Sequence, residues 1–466
     1  MWLIIRYLSL FFRSRRHFSF LFVISLFFLT VNILFTINDN RQSVHLLLNP
    51  NDKLISKKPE SILLNGLITK TNTIIQKKGL WPVDEKGRSL KTDFLVLTIQ
   101  GHYGSYVTEG THGQCSSSNT TFTWTTQKDR INEVDFVVCH GVPFDSYSHL
   151  LRLQLNNEQQ QYSMGFILES EANSPTEGDW TRYNFKMSYN LDDSYPEPAT
   201  YFDVNLYIID LLKPPSITFE QKEKQADIVW IISNCQAYNG RHKFVQKLMQ
   251  EINIDSYGLC LNNRQGLTAR LVNNTDTYKK YKFVIAIENS NCIDYITEKL
   301  IKVVASGSIP IVAGLNGRPD YRRFMPEHSY INIYDYTSVK TLANDLKRIA
   351  DNKTLYESYL WYKKHNKNIT QLSTLTLDEK IKQFADVIGS NAILIKNGII
   401  RKEKSDDKIC KLIRFIRQTP WQHIATHHGK QRRGPGFACL ARDHLSTYFD
   451  SLSSNSSQTT KHLVAR

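Results

Sequence analysis

Short, uninterrupted apolar runs recur along this chain, each closed by a polar or glycine-bearing loop, as expected of strands buried on both faces of a parallel sheet. The clearest unit spans residues 281–314. Residues 283–287 are continuously apolar and predict a strand, and 288–292 form a polar loop. Ile296, Leu300, Val303 and Val304 then recur at helical spacing, on a helix that Asp294 can cap. Tyr295, Glu298, Lys299 and Lys302 fall on its other face, so a phenol, a carboxylate and two ammoniums project together. Gly307 stands where a helix end favours a left-handed residue, and residues 308–313 supply the return strand. Strand, helix and parallel strand make one βαβ unit, and ligands of open α/β sheets bind beyond the strand carboxyl ends, near helix N-termini. Spacing alone leaves a solvated helix face as an equal reading of the polar set.

Other runs extend the pattern. Residues 94–99, 134–139 and 163–168 read as strands between turn-rich segments, a first α/β set starting near 89. A second set opens at 228–233 and continues through an amphipathic helix around 244–252 and a short strand near 256–257. After the βαβ unit, helices are predicted at 338–350, 355–364 and 377–388. Residues 18–37 differ from all of these: twenty residues without a charge, long enough to cross a bilayer as a helix. Arg6, Arg13, Arg15 and Arg16 precede them with no acidic residue, which predicts a cytoplasmic N-terminus, and residues 37–39 offer no small-residue cleavage site. The expected order is a tail (1–17), a signal-anchor helix (18–37), a polar stem (38–88), two α/β domains (89–222 and 223–395) and a basic extension (396–466).

The net charge of +14 does not imply nucleic acid, because the first 17 residues hold four Arg and residues 396–466 hold 14 basic against 5 acidic side chains. The remainder is near neutral, with no basic stripe or nucleic-acid motif. A lumenal body agrees with five acceptor sequons, at Asn119, Asn273, Asn352, Asn368 and Asn455, and with seven cysteines, enough for three disulfides and one free thiol. No C-x-x-C pair occurs, which argues against a structural zinc knot. His423, His427 and His428 beside Cys410 and Cys439 raise a metal site, against which a Cys410–Cys439 disulfide is the preferred expectation. No Asp-x-Asp occurs either, so a bound diphosphate would be met by side-chain cations and helix N-termini.

The segment ENSNCIDYITEKL (288–300), followed by GSIPIVAG (307–314), resembles the donor-site signature of the α1,3-fucosyltransferases. SNCQAYNGRHKFVQKLMQEINIDSYGLCLNN (233–263) is similar to that family's S-N-C-x-x-x-x-x-R motif, and ILESEANS (167–174) with YNFKMSYNLDDSYPEP (183–198) to its acceptor-side motifs. The resemblance covers roughly residues 89–370. It implies a GT-B fold, two Rossmann-like domains facing a cleft, with 89–222 on the acceptor side and 223–395 binding the donor. It implies a single-pass type II Golgi membrane enzyme that moves L-fucose from GDP-fucose to the 3-hydroxyl of N-acetylglucosamine on glycoprotein N-glycans, with inversion. By the same resemblance Glu169 is the base, Arg241 and Lys299 hold the pyrophosphate, Tyr295 and Glu298 contact the ribose, and Asn234, Glu288 and Asn289 complete the donor pocket. No cofactor is required, and a divalent metal at most stimulates. Glu171 in place of the family's Pro and Asn190 in place of its Arg depart from the pattern. They leave open a catalytically impaired relative that binds glycan or nucleotide, and a protein O-fucosyltransferase.

Overall fold

The computed structural model describes residues 80–99, 107–116, 118–140, 160–173, 183–265, 274–363, 369–389, 395–400, 408–426 and 438–455. The predicted tail, anchor and most of the stem, His427 and His428, and the sequons at Asn273 and Asn368 lie outside them. Among the described residues no helix is long and apolar enough to cross a membrane. Trp81, placed in the stem by its polar surroundings, instead belongs to the folded body: it is buried against Phe94 and Phe136, and its indole N–H donates to Asp135 at 2.6 Å.

Two sheets organise the chain. β1 (Asp93–Thr98), β2 (His112–Cys115), β3 (Thr120–Thr125), β4 (Phe136–His140), β5 (Tyr162–Ile167) and β6 (Phe185–Ser188) form the first, in the order β2-β3-β1-β4-β5-β6. Every pairing is parallel except β2 with β3, and Val96 lies opposite both Trp124 and Phe136. Three of these strands were missed from sequence because HGQC, TTFTWT and FKMS are too polar to give an apolar run. The second sheet is wholly parallel: β7 (Ile228–Ile231), β8 (Ile254–Tyr257), β9 (Phe283–Ile285), β10 (Ile309–Val312) and β11 (Ile331–Asn332), in the order β11-β10-β9-β7-β8.

The period-2 alternation of these strands explains how helices cover both faces. Val229, Val284 and Val312 point into one core, with α1 (Val204–Leu212), α3 (Glu298–Ser306) and α5 (Leu377–Ile388). Ile228, Trp230, Phe283, Ile285, Ile309 and Ile311 point into the other, with α2 (Arg241–Leu248) and α4 (Val339–Ala350). Parallel sheets covered by helices agree with the α/β part of the expected fold class. Gly307 closes α3 at φ +74° as expected, but α3 starts three residues later than predicted. Thr297 caps it, accepting from Lys299 N, while Asp294 sits at φ +56° outside the helix. Its buried carboxylate accepts instead from Arg323 (2.9 Å) and from Leu191 N (3.0 Å), which draws it away from the cap.

The basic extension is part of both cores. α6 (Lys408–Gln418) places Ile409, Leu412, Ile413 and Ile416 on the first sheet, and α7 (His444–Asn455) places Leu445 and Phe449 on the second. The expected Cys410–Cys439 disulfide is therefore not formed. The packing of α6 carries Cys410 to Cys115 at the end of edge strand β2, and Cys439 pairs with Cys292; a third bridge joins Cys235 to Cys260. Cys139 is a buried free thiol, pushed up to about 12 by burial. Of the described sequons, Asn119 is exposed in the β2–β3 turn, and the Asn352 side chain caps the helix Lys353–Ser358.

Three buried lysines make stability depend on pH. Lys222 donates to Lys279 O and Tyr281 O at 3.0 Å, yet burial, aided by Lys282, pushes it down to about 7; burial also pushes Lys363 to about 7 and Lys411 to about 8. The folded state then binds fewer protons than the unfolded one between these values and the ordinary lysine pKa of about 10.5, so stability rises with pH across that window. We expect the urea midpoint to increase from pH 7 to 8.5, each lysine contributing up to about 1.4 kcal/mol per pH unit. Lys222→Met should flatten the slope by one lysine's share, and a slope that Lys222→Met leaves unchanged would contradict the assignment.

Candidate active site

The strand ends of the second sheet surround a cavity of about 250 Å³, lined by Ile231, Ile232, Ser233, Asn234, Arg241, Asn274, Tyr278, Asn289, Glu298, Lys299 and Lys302. Three cations therefore face one space, each delivered by a helix that starts at a strand end. Arg241 is the first residue of α2, after Gly240 turns the chain at φ +74°. Lys299 is the second residue of α3, and Lys302, one turn further, shares its face.

Arg241 is 2% exposed, and among the described residues its guanidinium has one hydrogen-bond partner, the Ile287 carbonyl at 2.7 Å from Nη1. Its Nε is buried without a hydrogen-bond partner among the described residues. Burial pushes the guanidinium below its ordinary pKa, opposed by the fields of Glu288, Tyr295, Glu298 and Glu169. A guanidinium remains charged at any ordinary pH, so this is a buried cation with unused donors, the condition that an anion relieves. Asn289 adds a buried, unpartnered Oδ1 to the same wall.

Lys299 is held differently. Its Nζ lies 3.0 Å from Glu288 Oε2, 2.9 Å from Thr297 Oγ1 and 3.5 Å from Glu298 Oε1. Burial works against the ammonium, but Glu288 and Glu298 outweigh it and hold its pKa above the ordinary lysine value. Glu288 is 2% exposed, accepts from Thr297 N at 2.8 Å and does not line the cavity. It acts on the site through Lys299, and burial raises its own carboxyl pKa.

The first sheet contributes Glu169, just past the end of β5. Its Oε1 accepts from Tyr295 Oη at 2.8 Å, Asn289 Nδ2 at 3.3 Å and its neighbour's amide, Ser170 N, at 2.8 Å. Ser170 Oγ donates to Ser290 Oγ at 2.9 Å, Leu191 N donates to Asp294, and Arg323 joins Asp294 to Asp192. The loops after the two sheets thus meet with Glu169 beside Asn289, and Asn289 also faces the cavity.

Of the residues singled out from sequence, Asn234, Arg241, Asn289, Glu298 and Lys299 share the cavity, and Glu169 and Tyr295 adjoin it. Tyr295 is 1% exposed, its ring packed edge-on to Tyr189, and its hydroxyl is directed to Glu169 and not into the cavity. Asn190 closes its own turn by accepting from Asp192 N and Asp193 N, and Glu171 lies 4.0 Å from Lys186, which also pairs with Asp193. Sequence reasoning missed Asn274, Tyr278 and the amides of Asn239 and Asn291. Lys302 could have been added from its i+3 spacing to Lys299. Among the described residues no group of three His, Cys, Asp or Glu is placed to hold a metal ion.

Residues 221–388 match the family model described as glycosyltransferase family 10 (fucosyltransferase), C-terminal. An alpha-(1,3)-fucosyltransferase 4 of Bos taurus is 31% identical over 190 residues, 40% of this chain and 46% of that protein. A GDP-fucose protein O-fucosyltransferase 3 of Danio rerio is 32% identical over 225 residues, 46% of this chain and 48% of that protein. The chain spans about half the length of these relatives. A crystal structure of an alpha1,3-fucosyltransferase with GDP aligns at TM-score 0.40 and 15% identity, over 67% of this chain and 95% of that one.

Arg241→Met tests the anion reading without reference to a reaction. It removes a buried, unpaired cation and strands no carboxylate, so the thermal midpoint should hold or rise. Binding of inorganic pyrophosphate, followed by calorimetry, should weaken by roughly tenfold to a hundredfold, the scale of lost charge-assisted hydrogen bonds. Unchanged binding would contradict the assignment.

Proposed function

We propose that this chain is an inverting α1,3-fucosyltransferase of GT-B architecture, transferring L-fucose from GDP-fucose to the 3-hydroxyl of N-acetylglucosamine on glycoprotein N-glycans. It would act at the Golgi membrane as a single-pass type II protein with the two α/β domains in the lumen. The observation that carries the reading is the buried Arg241 with its unpartnered Nε, facing a cavity shared with Lys299 and Lys302 and adjoining Glu169. The family match over 221–388 supports the donor half.

In the proposed step Glu169 accepts the proton of the acceptor hydroxyl as its oxygen attacks the anomeric carbon of fucose. The bond from that carbon to the β-phosphate oxygen breaks on the opposite face, and GDP leaves with the electron pair. Arg241, Lys299 and the start of α2 stabilise the charge that develops on the diphosphate. Glu288 fixes the Lys299 ammonium, and Glu298 and Asn234 border the nucleoside side of the cavity. The charge on the diphosphate is met by side chains, so the reading requires no metal cofactor. A second reading, transfer to a protein hydroxyl, is favoured by one observation: the Danio rerio relative, a protein O-fucosyltransferase by name, matches over 225 residues.

The test is transfer of labelled fucose from GDP-fucose by the lumenal chain, with a glycan panel, a protein acceptor and EDTA present. Glu169→Gln should lower kcat at least about a hundredfold, the scale of a lost general base, while GDP binding persists. Lys299→Ala should raise the KM for GDP-fucose. Full activity of Glu169→Gln would reject the base assignment, and transfer to the protein alone would select the second reading.

A further inference from the structure

We propose that residues 438–446 are a positioning strap for the diphosphate end of the site, an inference that rests on the donor reading above. The strap crosses behind both loops that carry the site's polar groups. Four main-chain hydrogen bonds hold it there: Ile293 N to Ala438 O (2.9 Å), Leu440 N to Asn291 O (2.8 Å), Asp443 N to Tyr238 O (2.8 Å) and Leu445 N to Asn239 O (3.0 Å). Cys439 is bonded covalently to Cys292 between the first two.

The strap also sets the turn that aims Arg241. A Cβ on Gly240 would lie 2.8 Å from Ser446 Oγ and 2.9 Å from Asp443 Oδ1, so a glycine at φ +74° is what lets strap and turn approach this closely. Both anchor points feed one amide network. Asn239 accepts from Arg241 N at 3.2 Å and donates to Glu288 O at 2.9 Å and to Asn291 Oδ1 at 2.8 Å. Displacing the strap therefore shifts the Arg241 backbone and the Glu288–Asn291 loop together, and with that loop Asn289.

Core packing does not account for the segment. Residues 438–443 add only Ala438 and Cys439 to a buried cluster, and that cluster contains Tyr295, the donor to Glu169. Apolar anchoring comes afterwards, where Phe449 of α7 stacks on Phe244 of α2 at 5.7 Å. The strap is thus tied to the site by directional bonds at one end and held by hydrophobic contact at the other.

Two full-chain variants separate positioning from stability. Leu440→Pro deletes the N–H that Asn291 O accepts and keeps the disulfide, whereas Cys439→Ser deletes the disulfide and keeps the hydrogen bonds. With each variant folded at the assay temperature by circular dichroism, GDP binding by calorimetry should weaken, by about tenfold in Leu440→Pro, the scale of one buried carbonyl left without its donor, and by more than about twofold in Cys439→Ser. The KM for GDP-fucose should rise while the acceptor KM stays. Ser446→Val, which crowds Gly240 and leaves every main-chain bond in place, serves the same purpose if either variant fails to fold. GDP affinity within about twofold of wild type in the folded variants would overturn the strap. A wild-type chain that binds no GDP would instead overturn the donor reading and this inference with it.

Discussion

A guanidinium taken out of water with no carboxylate hydrogen-bonded to it is costly, and among the described residues Arg241 is held in that state by the architecture around it. Ile287, two residues past the end of β9, accepts one of its N–H groups on its carbonyl, and the Gly240 turn fixes where the side chain begins. Lys299, by contrast, is neutralised in place by Glu288. The two cations therefore have different characters. Lys299 is preorganised by an internal partner, and Arg241 keeps donors available for an incoming anion. An arrangement of this kind trades stability for binding, since the favourable partner arrives only with the ligand.

The first sheet enters this environment through few contacts, and they are polar and directional. Ser170 meets Ser290, Leu191 meets Asp294, and Arg323 spans Asp294 and Asp192, with Tyr189 against Tyr295 as the apolar component. Their combined effect is to set Glu169 at hydrogen-bonding distance from Asn289, whose other atom borders the cavity. The Glu169 carboxylate and the cation-lined cavity are brought together by loops from different sheets, so the distance between them is fixed by how those loops dock and not by either sheet alone. Asn190 and Glu171 lie in this docking region, Asn190 closing its own turn and Glu171 facing Lys186 of β6.

The elements legible from sequence were those with a strong local period. β7, β9, β10, α4 and α5 fall within two residues of expectation, because an apolar run or a 3.6-residue stripe has one dominant solution. β2, β3 and β6 were invisible, since strands at or near a sheet edge need not be apolar on both faces. The start of α3 was misplaced because Asp294 looks like a cap; only the arrival of Arg323 and Leu191, distant in sequence, shows why it is not one. In the site, Glu298 and Lys299 were legible from the polar face of the predicted helix and Arg241 through the family resemblance, while Tyr295 was assigned toward the ligand when its hydroxyl is turned to Glu169.

By itself, then, the sequence determined two α/β layers, the strand ends where polar chemistry gathers, and the residue types available there, because these follow from periodicity and capping within about twenty residues. Tertiary structure alone decided that Cys410 meets Cys115 and that Cys439 meets Cys292, pairs 295 and 147 residues apart. It alone brought Glu169 to Tyr295 and laid the C-terminal segment behind Arg241. Such contacts depend on how whole layers pack, and no local pattern encodes a distance between elements that are joined only through the core.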